Sequence, residues 1–169
     1  WTSALVRYRL ASDYTKPGPP TWSKENNQVP HPTGFETALL NALPERARER
    51  ANIQEILAKR LKDPYKIRLG WMPRAHPLLR SDGAMVVPLA NENFGTVCMA
   101  ITQDGGDTWT ISEAVPYTGM EQPTIAEAPN GDITAFFRSA DTEVHIRRSV
   151  SKDGGMTWAV PETTELVHP

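Results

Sequence analysis

The chain carries a single cysteine, Cys98, in 169 residues, which excludes an internal disulfide and leaves no cysteine cluster for zinc. The run around it, Thr96-Val97-Cys98-Met99-Ala100-Ile101, is apolar, so the thiol is expected to be buried in a strand rather than reactive. Long hydrophobic runs are missing too: no stretch approaches the ~20 apolar residues of a membrane helix, and no membrane span is expected. Nor is there a surplus of positive charge. A formal net charge of -2 gives a nucleic-acid backbone little to attract, so no nucleic-acid partner is expected. His31, His76, His145 and His168 are scattered, the carboxylates lack the spaced series of a calcium loop, and neither glycine pair is followed by the Lys-Ser/Thr of a phosphate loop. No metal and no cofactor are therefore expected. The sequence opens at Trp1 without a charged-then-apolar leader, so a signal peptide is expected to have been removed or to lie outside these residues.

What is present is an ordinary globular balance, with 39% apolar and 22% charged residues, and an internal repeat. Thr102-Gln103-Asp104-Gly105-Gly106-Asp107-Thr108-Trp109 recurs as Ser151-Lys152-Asp153-Gly154-Gly155-Met156-Thr157-Trp158, both of the form S/T-x-D-x-G-x-T-W. The tryptophans lie 49 residues apart, a spacing that suits one four-stranded propeller blade. Each copy also contains a glycine turn, Ser81-Asp82-Gly83 or Pro129-Asn130-Gly131, followed by an apolar strand and then by an alternating strand that runs into the motif. A degenerate third copy is expected near the start, where Tyr8-Arg9-Leu10-Ala11-Ser12-Asp13 passes through a lengthened Pro/Gly-rich turn to Thr21-Trp22.

Between the first and second copies, residues 33–63 read as an inserted helical hairpin. Thr33-Gly34-Phe35-Glu36 has the form of a capping box, and Phe35, Leu39, Ala42 and Leu43 keep helical spacing. Pro44 restarts the pattern. Ile53, Ile56, Leu57 and Leu61 form a second apolar stripe, and Asp63-Pro64 is expected to stop it. The Arg/Glu-rich residues 45–50 read as a solvated face.

Within the repeated motif, Asp104 and Asp153 are expected to accept backbone N–H bonds inside a tight turn while Trp109 and Trp158 cover its apolar side. These are structural roles. A carboxylate committed to its own turn is a poor proton donor.

The two motifs, the segment Gly70-Trp71-Met72-Pro73-Arg74-Ala75-His76-Pro77 and the span from Gln122-Pro123-Thr124-Ile125 to Phe137-Arg138-Ser139 resemble the sialidase-like BNR-repeat family, in which the motif is the Asp box. The resemblance runs over residues 1–169 and is firmest from 68 to 169. It implies an all-β fold, part of a six-bladed β-propeller with about two blades and part of a third in this chain, the remaining blades being absent from it. It further implies a glycan partner, a secreted or periplasmic location and release of a terminal sialic acid. That chemistry uses arginines on the sugar carboxylate, a tyrosine nucleophile with a glutamate partner and an aspartate acid/base; a guanidinium fork meets a carboxylate with two charge-assisted bonds.

Carried over by position, Arg138 matches an arginine that clamps the substrate carboxylate; its repeat equivalent is the small Ala90, and pairing with a surface acid such as Asp141 or Glu143 is the structural alternative. Arg74 resembles the arginine of an Arg-Ile-Pro entry motif with one extra residue, and its repeat equivalent is Gln122, so the two are expected to be neighbours. Gln122 stands where the family places the glutamate that activates the tyrosine, and an amide cannot take that proton. Glu121 is adjacent but in a regular strand faces the other way, so either a one-residue bulge brings it into place or the chemistry is altered. Glu127 matches a second, non-catalytic acid of that strand. Tyr117 is expected to stack on a sugar ring from its loop, and His76 to donate to a sugar hydroxyl or to be a hydrogen-bonded core histidine. Three functions remain open: an exo-acting glycosidase for a terminal acidic sugar, a non-catalytic carbohydrate-binding propeller, and a uronic-acid-specific glycosidase or polysaccharide lyase.

Overall fold

The computed structural model describes residues 2–41, 51–139 and 144–168. Ala42, Leu43, Pro44, the face of residues 45–50, Asp141, Glu143 and the side chain of Ile53 lie outside the described residues.

The fold is mostly β with few helices. Strand β1 (Val6–Tyr8) pairs antiparallel with β2 (Asn26–Gln28). Helices α1 (Phe35–Asn41), α2 (Ala51–Leu61) and α3 (Pro64–Arg68) follow. A first sheet then forms from β3 (Trp71–Met72), β4 (Leu78–Leu79), β5 (Met85–Asn91), β6 (Thr96–Thr102) and β7 (Thr110–Ile111), with β3 and β4 both pairing along β5. The second sheet is a four-stranded antiparallel meander of β8 (Met120–Glu127), β9 (Ile133–Ser139), β10 (His145–Ser151) and β11 (Glu162–Val167).

Strand β6 is buried along its whole length, which is why its sequence is apolar without alternation. Val97, Met99 and Ile101 face one core, with Val86, Ile125, Ile133, Phe137 and Trp158 among its other members. Cys98 and Ala100 face a second core built with Phe35, Leu39, Ile67, Trp71 and Leu89. The first sheet is thus a central layer with the second sheet on one face and the helices and β1 on the other. Cys98 is fully buried, as expected, and burial pushes its thiol pKa up.

The two repeated turns are built alike. Thr102 and Ser151 each accept the N–H of the motif's second glycine at 2.9 Å and donate to the aspartate at 2.8 and 2.7 Å. Asp104 and Asp153 accept the N–H of Thr108 and Thr157 at 2.9 Å, and their hydroxyls at 2.5 Å. Gly106 and Gly155 take φ of +103° and +96°, open to glycine without strain, and their carbonyls accept Nε1–H of Trp109 (3.1 Å) and Trp158 (3.0 Å). Each tryptophan covers the side of its sheet that faces the preceding layer: Trp109 meets Tyr8 of β1 edge-on at 5.4 Å, and Trp158 lies in the core against the first sheet. The stretch between β1 and β2 keeps part of the same device, since Asp13 accepts the N–H of Thr21 at 2.9 Å across a longer turn. Trp22 beside it is 58% exposed.

In the helical segment Phe35, Leu39 and Leu57 are buried, but Ile56, placed by spacing in the apolar stripe, is 47% exposed. Asp63-Pro64 ends α2 at Leu61 and also opens α3, which the sequence pattern did not suggest. Asp63 caps it by accepting the N–H of Tyr65 at 3.0 Å, and Pro64 occupies the first turn, where its missing N–H costs nothing. The two sheets are joined at the end that carries the repeated turns. Glu127 accepts both the N–H (2.7 Å) and the hydroxyl (2.9 Å) of Ser81, and the Arg80 guanidinium donates to the Gly154 carbonyl (3.2 Å).

Candidate functional site

The register of β8 against β9 is irregular at one place. Glu121 pairs with Arg138 and Thr124 with Phe136, so β8 advances three residues while β9 advances two. This is a one-residue β-bulge. Gln122-Pro123 explains it: proline has no N–H for the ladder and is accommodated at bulges, and Gln122 takes φ +51°, the one positive φ of a non-glycine among the described residues. The bulge reverses the parity of the strand. In a regular strand Glu121 and Thr124 would face opposite ways; here both lie on the face of Arg138 and Phe136.

Glu121 and Arg138 consequently form an ion pair at 3.6 Å with side chains 31% and 43% exposed. A pair this open and this long contributes at most about 1 kcal/mol. It leaves the guanidinium able to exchange partners. Beside it a cleft of about 380 Å³ is lined by Gln122, Thr124, Phe136, Phe137, Arg138, Ile146 and His168. Amide, hydroxyl, guanidinium and imidazole groups therefore border an apolar floor, the mixture that holds a polar ligand with one flat apolar side. Arg138 lies five residues beyond Ile133, the end of β9 next to the Ser151 turn, or ~17 Å along the strand. The cleft and the repeated turns are thus at opposite ends of the sheet.

The other expected site residues are elsewhere. Arg74 is exposed and lines a separate cavity with residues of β1. It and His76 occupy a break between β3 and β4 rather than a continuous inner strand, because Pro73 and Pro77 interrupt the ladder. His76 is exposed, with Nδ1 2.9 Å from the Pro77 carbonyl, so it is not a core histidine. Tyr117 is half-buried against the core between the sheets, and the Arg147 guanidinium sits 4.1 Å over its ring, closing that face to a sugar.

Asp104 is held well below the usual carboxylate range by the Thr108 hydroxyl and N–H and the Thr102 hydroxyl. Burial pushes Asp153 up, and bonds from Thr157, Ser151 and Met156 outweigh it to leave the pKa lowered. Both stay ionised as turn acceptors. Among the described residues no group of three or more His, Cys, Asp or Glu side chains could hold a metal ion. No described helix is long and apolar enough to cross a membrane.

Sequence reasoning missed Thr124, Phe136 and Arg147. The first two depend on strand parity after the bulge, and Gln122-Pro123 was the available signal. Arg147 is only 6% exposed, and its strand pairs it with the inward-facing Phe137.

Residues 57–169 match the family model described as a BNR repeat-like domain. The chain belongs to that family. Over 79 residues it is 32% identical to the anhydrosialidase of Macrobdella decora, an alignment covering 46% of this chain and 10% of that protein. A crystal structure of a protein of unknown function from Dyadobacter fermentans superposes with TM-score 0.53 at 25% identity, over 60% of this chain and 30% of that one. The NanB sialidase of Streptococcus pneumoniae superposes with TM-score 0.55 at 18% identity, over 86% of this chain and 17% of that one, a likeness of fold. These similarities relate the chain to the sialidase-type glycoside hydrolases. The chain spans a tenth to a third of the length of the proteins it matches here.

Proposed function

We propose that this chain is part of a sialidase-type, six-bladed propeller that acts outside the cytoplasm on glycans, and that it engages a terminal acidic sugar at the cleft beside Arg138. The observation that carries this reading is the bulge at Gln122, which sets Glu121 and Arg138 on one face at the end remote from the repeated turns. In this reading Arg138 exchanges Glu121 for the sugar carboxylate, Gln122 and Thr124 bond sugar hydroxyls, and Phe136 and Ile146 receive the ring's apolar side. Glu121, not Gln122, is the carboxylate placed to serve a proton transfer. A tyrosine nucleophile and an aspartate acid/base would be contributed by other blades. Full-length protein should release the fluorophore from a fluorogenic sialoside; failure to release it, together with no binding of the free sugar acid, would refute the reading.

One observation favours a second reading, a carbohydrate-binding propeller without turnover. Glu121 is ion-paired with Arg138 and the residue beside it is an amide, so neither offers an unpaired carboxylate to the cleft. Saturable glycan binding without product release would select it. Turnover of uronosides but not sialosides would instead select the uronic-acid-specific alternative.

A further inference from the structure

The charge of the chain is unevenly placed. The whole carries a net charge of -2, yet residues 59–68 hold five basic side chains and one acidic one. Lys59 is in the last turn of α2, Lys62 follows that helix, and Lys66 and Arg68 belong to α3. Leu57 and Ile67 are buried, and at about 100° per residue Lys59 and Tyr65 each lie ~200° from them, on the outer side of their helices. Lys59, Lys62 and Arg68 are exposed and have no charged partner among the described residues, and Tyr65 is 75% exposed. Lys66 reaches Asp63 loosely, at 3.9 Å, with its side chain 45% exposed. Arg60 instead turns inward and donates to the Asn93 carbonyl at 2.6 Å. The dipole of a helix end accounts for Lys59 and Arg60, but α3 is little more than one turn long and Lys62 lies between the two helices.

This basic surface stands at the same end of the sheets as the cleft. The turn between β5 and β6, at the end away from Thr102 and its repeated turn, holds the helical segment: the Asn91 and Asn93 side chains donate to the Leu69 carbonyl at 3.0 and 3.4 Å. Gly95 ends that turn, and its carbonyl accepts the N–H of Met120 at 2.9 Å. The two backbones are so close that a Cβ on Gly95 would sit 2.9 Å from the Gly119 nitrogen. Met120 precedes Glu121, the partner of Arg138. The path from Lys66 through Asn93, Gly95 and Met120 to Glu121 is about 25 Å at most by the ~3.8 Å spacing of successive Cα atoms.

We infer that the outer side of this helical segment is a second binding surface, for the acidic chain of an oligosaccharide that extends from the cleft, so that the favoured ligand carries several carboxylates or sulfates rather than one. The inference takes from the reading above only that the terminal unit is an acidic sugar held at Arg138. Lys59, Lys62 and Arg68 supply attraction that reaches about 10 Å at 0.1 M salt and speeds encounter more than it fixes geometry. Tyr65 offers a ring face on which a sugar can lie. A lipid surface would require a broad apolar face, whereas Ile56 is the one exposed aliphatic side chain of α2 and α3 among the described residues.

The test titrates full-length protein with a tetramer of α-linked sialic acid and, separately, with the methyl glycoside of a single sialic acid, at about 0.05 M and about 0.5 M salt. The expected result is a tetramer bound at least about 10-fold more tightly than the glycoside at the lower salt, an advantage that disappears at the higher. The triple variant Lys59→Glu, Lys62→Glu, Arg68→Glu should abolish the advantage, and Lys59→Arg, Lys62→Arg, Arg68→Lys should keep it. Should the triple glutamate variant fail to fold, Lys62→Glu alone should lower the advantage roughly two- to threefold. Equal affinity for the two ligands at low salt, no binding of the tetramer, or an advantage that survives the glutamates would overturn the inference. Tighter binding to phosphatidylglycerol vesicles than to the tetramer would assign the surface to a membrane and overturn it as well. Salt-dependent binding of the tetramer without binding of the glycoside would count against the cleft alone and leave this surface standing.

Discussion

Replacing Trp158 by alanine should be among the most damaging single changes in the chain, and the structure lets the loss be divided. Trp158 is 8% exposed, in the core shared by the two sheets, and its Nε1–H donates to the Gly155 carbonyl at 3.0 Å. Removing a buried tryptophan costs about 3–5 kcal/mol through lost transfer free energy and the cavity left behind. Trp158→Phe keeps most of the ring area but leaves the glycine carbonyl without its donor, a penalty of about 1–3 kcal/mol. Trp109 performs the same task but is only half-buried, so Trp109→Ala should cost less than Trp158→Ala. Urea unfolding of full-length protein, followed by circular dichroism and by fluorescence of the remaining tryptophans, would measure all three. A loss below about 1 kcal/mol for Trp158→Ala, or equal losses for the alanine variants of Trp109 and Trp158, would refute the reasoning that the turn tryptophans are layer seals graded by burial.

Three further outcomes are expected. Asp13, Asp104 and Asp153 all have lowered folded-state pKa values, chiefly through bonds from Thr21 and Thr108 in the first two and from Thr157 against burial in the third. Their contribution is complete above the ordinary carboxylate pKa of about 4 and is lost as pH falls through the depressed folded values, so a melting profile from pH 6 to 2 should decline below pH 4 and flatten in Asn variants. Arg138→Ala should weaken binding of an acidic sugar by roughly 10- to 100-fold in calorimetry, whereas Glu121→Gln should preserve binding and remove any turnover. Glu127→Ala leaves the Ser81 N–H and hydroxyl without their acceptor and should destabilise the protein by about 1–2 kcal/mol in chemical unfolding, with no effect on sugar affinity.

The layered β architecture was legible because it is written in local chemistry. The serine or threonine, aspartate, glycine and tryptophan of each turn bond one another within eight residues, so spacing alone locates them. The apolar run from Val97 to Ile101 likewise announced a strand with a buried thiol, but one expected to alternate, whereas β6 is covered on both faces along its whole length. The site was only partly legible. Whether Glu121 faces Arg138 depends on a single extra residue in the ladder, and Gln122-Pro123 allowed that possibility without deciding it. Arg74, expected just before an inner strand, lies in the break between β3 and β4 that Pro73 and Pro77 make, where it lines the cavity beside β1. The cover on one face of Tyr117 was not legible from its loop, because the arginine that supplies it comes from β10, thirty residues away in sequence. The α3 helix was missed because Asp-Pro ends one helix and starts another with equal chemical ease.

The double acceptance of Ser81 by Glu127 has a consequence for how such a protein can change. One carboxylate gripping both the main chain and the side chain of a neighbouring turn sets the lateral offset of the sheets at one end, while the polar side chains around Gln122 and Arg138 project from the other. Mechanical alignment and chemical selectivity are therefore assigned to opposite ends of the same strands. Residues bordering the cleft are free to change while the joint that keeps the layers aligned is left untouched.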